Sequence, residues 1–194
     1  PGRQPCPDLP IRAGTWRYRT DKLNQTMADG EHWTTGVRNG MALAVNPTTG
    51  ELWGATHGRD DLRGTLGVSD QDNAEKPAEE FGLFSKGADY GWPYCYYDPI
   101  TKKKVEAPEY GGDGTKQGDC AAKTQPVIAF PGHWAPMSLT FVPNARFGAS
   151  YAGGAFLAFH GSWNRAPLPQ AGFRVVFIPF KGGKATGTWS TFAE

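Results

Sequence analysis

The 194 residues predict an all-β chain built from repeated antiparallel sheets, and three observations carry that expectation. Glycine (26), proline (16) and aromatic residues (13%) are abundant, which favours many short strands joined by turns. No long window sustains the 3.6-residue apolar spacing of a helix. One strand–turn–strand unit also occurs twice. The first copy is Met41-Ala42-Leu43-Ala44-Val45-Asn46-Pro47, a turn, then Glu51-Leu52-Trp53-Gly54-Ala55-Thr56-His57-Gly58-Arg59. The second is Met137-Ser138-Leu139-Thr140-Phe141-Val142-Pro143, a longer turn, then Gly154-Ala155-Phe156-Leu157-Ala158-Phe159-His160-Gly161-Ser162. Each ends in His-Gly, and such a recurrence marks copies of one sheet unit.

In chain order, residues 1–12 carry four prolines and no periodicity, which reads as loop or linker. Gly14 to Arg19 alternates polar and aromatic residues as a half-buried strand does, and residues 32–35 read as another strand. Residues 36–40 lead into the first copy, whose Pro47-Thr48-Thr49-Gly50 is a hairpin turn. After Arg59 come about twenty mainly polar residues, expected as a long structureless loop. Residues 77–84 resume strand character, and Gly87 to Asp98 is too broken by glycine and proline for a helix. A second long loop is expected up to Cys120, then a strand at 126–130. Residues 131–136 lead into the second copy, followed by strands at 173–180 and 187–192 around a Lys181-Gly182-Gly183-Lys184 turn.

Four strands per unit make each unit a blade, and blades repeated around an axis form a β-propeller. A sandwich fits the strand count too, but the recurrence of the whole unit favours the propeller. The expected layout is the end of one blade at 13–35, a second at 36–130 and a third at 131–194. A propeller closes with about four to eight blades. The chain, starting at Pro1 without a signal-peptide pattern, therefore reads as the C-terminal part of a longer one, its ring completed by a missing N-terminal half or a second copy.

Twenty basic and nineteen acidic residues give a net charge of +1, which offers no footprint for nucleic acid. No run of eighteen apolar residues is present, so no membrane span is expected. Lys102-Lys103-Lys104 reads as a solvated loop tip. Cys95 and Cys120 bracket a glycine- and lysine-rich excursion and read as a disulfide, leaving Cys6 without a partner.

Loops at the ends of blades are where binding groups gather. Arg38 and Asn39, His133 and Trp134, residues 57–61 and residues 160–165 are expected to converge on one pocket. Arginine with flat aromatic surfaces suits a planar polyanion. The alternatives are a turn-capping role for Arg38 and Asn39 and structural imidazoles at His57 and His160, with His32 on the surface. Asp60-Asp61 and Glu79-Glu80 are either calcium ligands or solvated loop carboxylates. No histidine spacing supports a transition-metal site, and no phosphate-binding glycine motif is present.

Several of these motifs together resemble the glucose/sorbosone dehydrogenase family: Gly36-Val37-Arg38-Asn39, Pro47 to Trp53, His57-Gly58-Arg59-Asp60, Ala88-Asp89-Tyr90-Gly91-Trp92-Pro93-Tyr94 and Phe159 to Arg165. The resemblance runs from about Ala13 onward. It implies a six-bladed propeller, a periplasmic or secreted protein, and sugar or alcohol/aldehyde oxidation by hydride transfer to pyrroloquinoline quinone, with calcium polarising the cofactor. It maps cofactor contacts onto Arg38, Asn39 and His57, and main-chain oxygens for calcium onto Gly58 and Arg59. His133 stands where the family has a Thr, and Arg165, beside Trp163, where it has a Lys. The His-Gly-Arg replaces the Gln-Gly-Pro of glucose-oxidising members, which points to the sorbosone-type branch. The family's general-base histidine lies in the N-terminal half, so these residues alone are expected to be inactive. The competing reading is a non-catalytic propeller fragment that binds carbohydrate or protein and closes its ring by self-association.

Overall fold

The computed structural model describes residues 2–144 and 147–194. Two four-stranded antiparallel sheets dominate it, each running up and down in chain order. The first joins β3 (Ala42–Val45), β4 (Leu52–Thr56), β5 (Glu79–Leu83) and β8 (Ile128–Phe130). The second joins β9 (Pro136–Phe141), β10 (Ala155–His160), β11 (Phe173–Ile178) and β14 (Ser190–Ala193). The two copies of the repeat are thus β3–β4 and β9–β10, and the first strands of the two sheets, β3 and β9, lie alongside each other. Ahead of them, β1 (Gly14–Arg17) pairs with β2 (Glu31–Thr35), which docks on the first sheet where Trp33 Nε1 donates to Phe84 O at 2.6 Å.

The core lies between the two sheets. Trp53, Phe81 and Phe130 of the first face Leu139, Leu157, Val176 and Ile178 of the second. Removing each large side chain from water contributes about 1.5–3 kcal/mol. Fully buried Ala42, Ala55 and Ala155 stand among these bulky residues and let the faces interdigitate. The small hairpin β12 (Phe180–Lys181)–β13 (Lys184–Ala185) adds a staple. Phe180 meets Trp53 at 4.9 Å and Phe141 at 5.1 Å, one from each sheet.

Five expectations are corrected. The segment after Arg59 is not structureless: it forms α1 (Leu62–Leu66) and α2 (Asp70–Glu75). Asp61 Oδ1 accepts from Gly64 N at 2.9 Å and Ser69 Oγ from Asp72 N at 3.0 Å, capping the two helices and satisfying N–H groups that have no intrahelical partner. The second expected loop contains a hairpin, β6 (Cys95–Asp98) with β7 (Lys103–Glu106), held to Cys120 by the predicted disulfide. Lys104 is no loop tip. Its side chain is fully buried, with Nζ 2.7 Å from Glu80 and donating to Tyr90 O, because β7 turns it inward while Lys103 faces out. Glu79 and Glu80 are buried strand residues, not solvated loop carboxylates, and His32 is half-buried, its ring stacked on Trp16 with centroids 4.4 Å apart.

Candidate functional site

Up-and-down strand order puts the entry to each first strand and the exit of each second strand at the same end. Arg38 and Asn39 precede β3, and His57 to Asp60 follow β4. His133 and Trp134 precede β9, and Gly161 to Arg165 follow β10. With β3 and β9 adjacent, the four segments meet over one end of the two sheets.

Arg38 is the half-buried cation of this end. Its Nη1 donates to Gly58 O at 2.7 Å and its Nη2 to Asp60 Oδ2 at 2.8 Å, and its guanidinium carbon lies 5.4 Å from the centre of the Trp92 ring. Asp60 reaches the other sheet as well, since Asn164 Nδ2 donates to its Oδ1 at 2.6 Å. His133 Nδ1 stands 3.7 Å from that same oxygen, beyond a hydrogen bond. Asn39 contributes through its backbone. Its N–H donates to Thr56 Oγ1 at 3.3 Å and its carbonyl accepts from His57 N at 3.0 Å, which fixes the turn into β3.

Two imidazoles are held neutral. His57 Nε2 donates to Pro136 O at 2.8 Å, which leaves Nδ1 as an acceptor, and burial pulls its pKa below the ordinary value despite that bond. His133 Nε2 donates to Asn73 O at 2.9 Å, and burial lowers its pKa too. His133 (φ 62°) and Ala135 (φ 57°) both sit in the left-handed region that non-glycine residues rarely adopt. The bonds around them hold this shape: Ala135 N donates to Glu79 Oε1 at 3.2 Å, and His160 N to Ala135 O at 3.2 Å.

Glu79, 2% exposed, ties the entry to β9 to the exit of β4, because its Oε2 also accepts from Gly58 N at 3.0 Å. Burial pushes its carboxyl up to about 7, against these backbone donors and the Arg38 charge. Gly58 is required at this contact: a Cβ there would come within 2.9 Å of Ala78 O and of the Pro77 ring.

The remaining site residues of the sequence divide into inward and outward groups. Arg165 is buried, with Nη1 donating to Ala74 O at 2.6 Å and Gly132 O at 3.2 Å and Nη2 to Glu75 Oε1 at 2.6 Å. Its donors are spent on the end of α2 and on Gly132 O and Pro169 O. Arg59 is also buried and forks onto Glu109 at 2.5 and 2.7 Å. Trp163, 74% exposed, and His160 face solvent. Among the described residues, the donors left open are therefore three N–H groups of Arg38 beyond the two engaged, His160 and Trp163, with His57 Nδ1 as an acceptor beside them. That set fits a planar anion.

A dication at Gly58 O fits less well, because that oxygen already accepts from a guanidinium. Among the described residues no group of three His, Cys, Asp or Glu side chains is placed to hold a metal. Beside Arg38, toward β1, a groove of about 470 Å³ opens between Trp16, Val37, Leu43 and Leu52.

Sequence reasoning did not find the Asp60 bridge or the Glu79 tie. The signal available was an acid next to the His-Gly-Arg run and a Glu-Glu pair in an otherwise apolar strand.

The family model described as TrAA12-like matches residues 11–191. The chain belongs to the TrAA12-like family. This TrAA12-like chain is 31% identical over 112 residues to a pyrroloquinoline quinone-dependent pyranose dehydrogenase of Coprinopsis cinerea, covering 53% of the chain and 14% of that protein. It is 25% identical over 143 residues to a pyrroloquinoline quinone-dependent sugar dehydrogenase of Hypocrea jecorina, covering 66% and 31%. Among solved structures, the calcium structure of the Trichoderma reesei family AA12 enzyme superposes with a TM-score of 0.66 at 21% identity, over 90% of this chain and 45% of that one. The holo pyranose dehydrogenase domain of Coprinopsis cinerea gives 0.59 at 21%, over 85% and 42%. The TrAA12-like chain thus spans less than half of each relative, and its two sheets are blades of a β-propeller.

Proposed function

We propose that the chain is the cofactor-side part of a quinone-dependent sugar dehydrogenase of the sorbosone type, oxidising a sugar or related alcohol/aldehyde. The carrying observation is Arg38, a cation lying over Trp92, fixed by Gly58 O and Asp60, with donors left over at the meeting of four loops. Homology to pyrroloquinoline quinone-dependent sugar dehydrogenases supports the same reading.

When bound, pyrroloquinoline quinone supplies the two-electron acceptor for hydride from the substrate carbon. The chain's part is binding and orientation. Arg38 offers paired N–H groups to a carboxylate, a geometry that fixes a planar acid as well as neutralising it. Neutral His57 adds an acceptor and no charge, so the nearby charges are those of Arg38 and its partner Asp60. Trp163 provides an exposed apolar face beside the turn that carries Asn164. The Cys95–Cys120 disulfide favours an oxidising compartment, periplasmic or secreted.

The test is titration of pyrroloquinoline quinone into the full-length protein, followed by its absorbance, with and without added calcium. Wild type is expected to bind, and Arg38→Ala to bind about 10- to 100-fold more weakly, the range of one or two charge-assisted hydrogen bonds. Equal affinity of the two proteins counts against the proposal. Failure of wild type to bind points to a non-catalytic propeller.

A further inference from the structure

We infer that Asp60 is the positioning residue of this site, setting the direction of Arg38 and locking it to the second blade. The inference rests on the reading above for what Arg38 binds, and on geometry alone for what Asp60 does. The two carboxylate oxygens are divided between blades: Oδ2 takes Arg38 Nη2 at 2.8 Å and Oδ1 takes Asn164 Nδ2 at 2.6 Å. The chain carbonyls on either side join the same arrangement. Gly58 O holds the other arm of Arg38, and Asp60 O accepts from Arg59 Nε at 3.3 Å. The guanidinium is therefore gripped by two acceptors that are themselves two residues apart in one turn, and only one of them is a side chain.

This division has a chemical consequence. An arginine with one carbonyl partner still swings about its long side chain, whereas two partners on different nitrogens fix the plane of the fork. Asp60 is the second partner, and Asn164 fixes Asp60 in turn. The three side chains form a relay from β3 through the β4 exit to the 3₁₀ turn at Trp163–Arg165, so the direction of Arg38 depends on the seating of the second sheet. Asp60 touches neither sugar nor quinone in this scheme and acts through Arg38.

The experiment uses the full-length protein and the variants Asp60→Ala, Asp60→Asn, Arg38→Ala and the Asp60→Ala/Arg38→Ala pair. Nitrogen-15 NMR of the arginine side chains reads the restriction directly, without quinone. Resolved, slowly rotating Arg38 Nη signals are expected in wild type and their loss in both Asp60 variants. Unchanged Arg38 signals in either folded Asp60 variant overturn the inference, and Asp60→Asn, which keeps size and one oxygen, serves if the alanine variant fails to fold. Quinone titration then separates positioning from bulk structure. Asp60→Ala is expected to weaken binding about tenfold when Arg38 is present and to have no further effect when Arg38 is already alanine. A tenfold loss in both backgrounds overturns the inference. If wild type binds no quinone, the functional reading falls while the NMR result still decides the role of Asp60.

Discussion

Glu79→Gln tests the electrostatics of the site at nearly constant side-chain volume, with a pH-independent loss of one of the two backbone bonds that its oxygens accept. The carboxyl of Glu79 is raised from an ordinary value of 4.5 to about 7, chiefly by burial. Between those two values the native state keeps a proton that the unfolded chain has released. Native stability from this group is therefore fully present below 4.5 and falls as pH rises through the window, levelling above about 7. At about 1.4 kcal/mol for each tenfold change in the equilibrium, the total is on the order of 3 kcal/mol. Glutamine does not titrate, so urea midpoints of wild type and Glu79→Gln measured from pH 4.5 to 8 should diverge, the variant gaining on wild type by about that amount as pH rises. Other carboxylates titrate in both proteins and cancel in the difference. A difference between the two proteins that is the same at pH 5 and pH 8 would refute the reasoning.

Lys104→Met leaves Glu80 as an unpaired buried charge and should cost about 3–5 kcal/mol in denaturant melts, with Lys104→Met/Glu80→Gln recovering most of the loss. Phe130→Ala opens the core between the sheets and should cost about 3–5 kcal/mol in the same assay. Reduction of Cys95–Cys120 should lower stability by about 3 kcal/mol, read as a shift of the urea midpoint with and without dithiothreitol.

The strands of the repeat were legible because short apolar runs around a Pro-marked turn, each closed by His-Gly, recur in the same order, although their two faces differ in burial. Val45 and Leu43 point out while Ala42 and the partner-strand Trp53 and Ala55 point in. The hairpin containing Lys104 was not legible, since a lysine is read as solvated until its partner is known, and Glu80 lies 24 positions away on another sheet. Arg165 hides for the same reason: four acceptors from separate segments make its burial possible, among them Ala74 O and Gly132 O. The helices α1 and α2 are five and six residues long, too short for an apolar period to show. Their caps, Asp61 and Ser69, were the one local signature. At the candidate site, the meeting of the loops followed from strand order, whereas Asp60's two-sided role needed the relative placement of two blades.

Helix α2 carries a consequence beyond its size. Asn73 O receives His133, Ala74 O receives Arg165, and Glu75 O receives Gly132 N at 3.0 Å. Three successive carbonyls at its end thus hold both loops of the second blade, although α2 belongs to the excursion between β4 and β5. In a chimera that exchanged residues 60–76 for a connection of equal length from a relative, every strand could still pair, and yet the second blade's loops would lose their template. The excursion works as a jig: the shape of the second blade's loops at this end is set by a segment that lies outside both sheets.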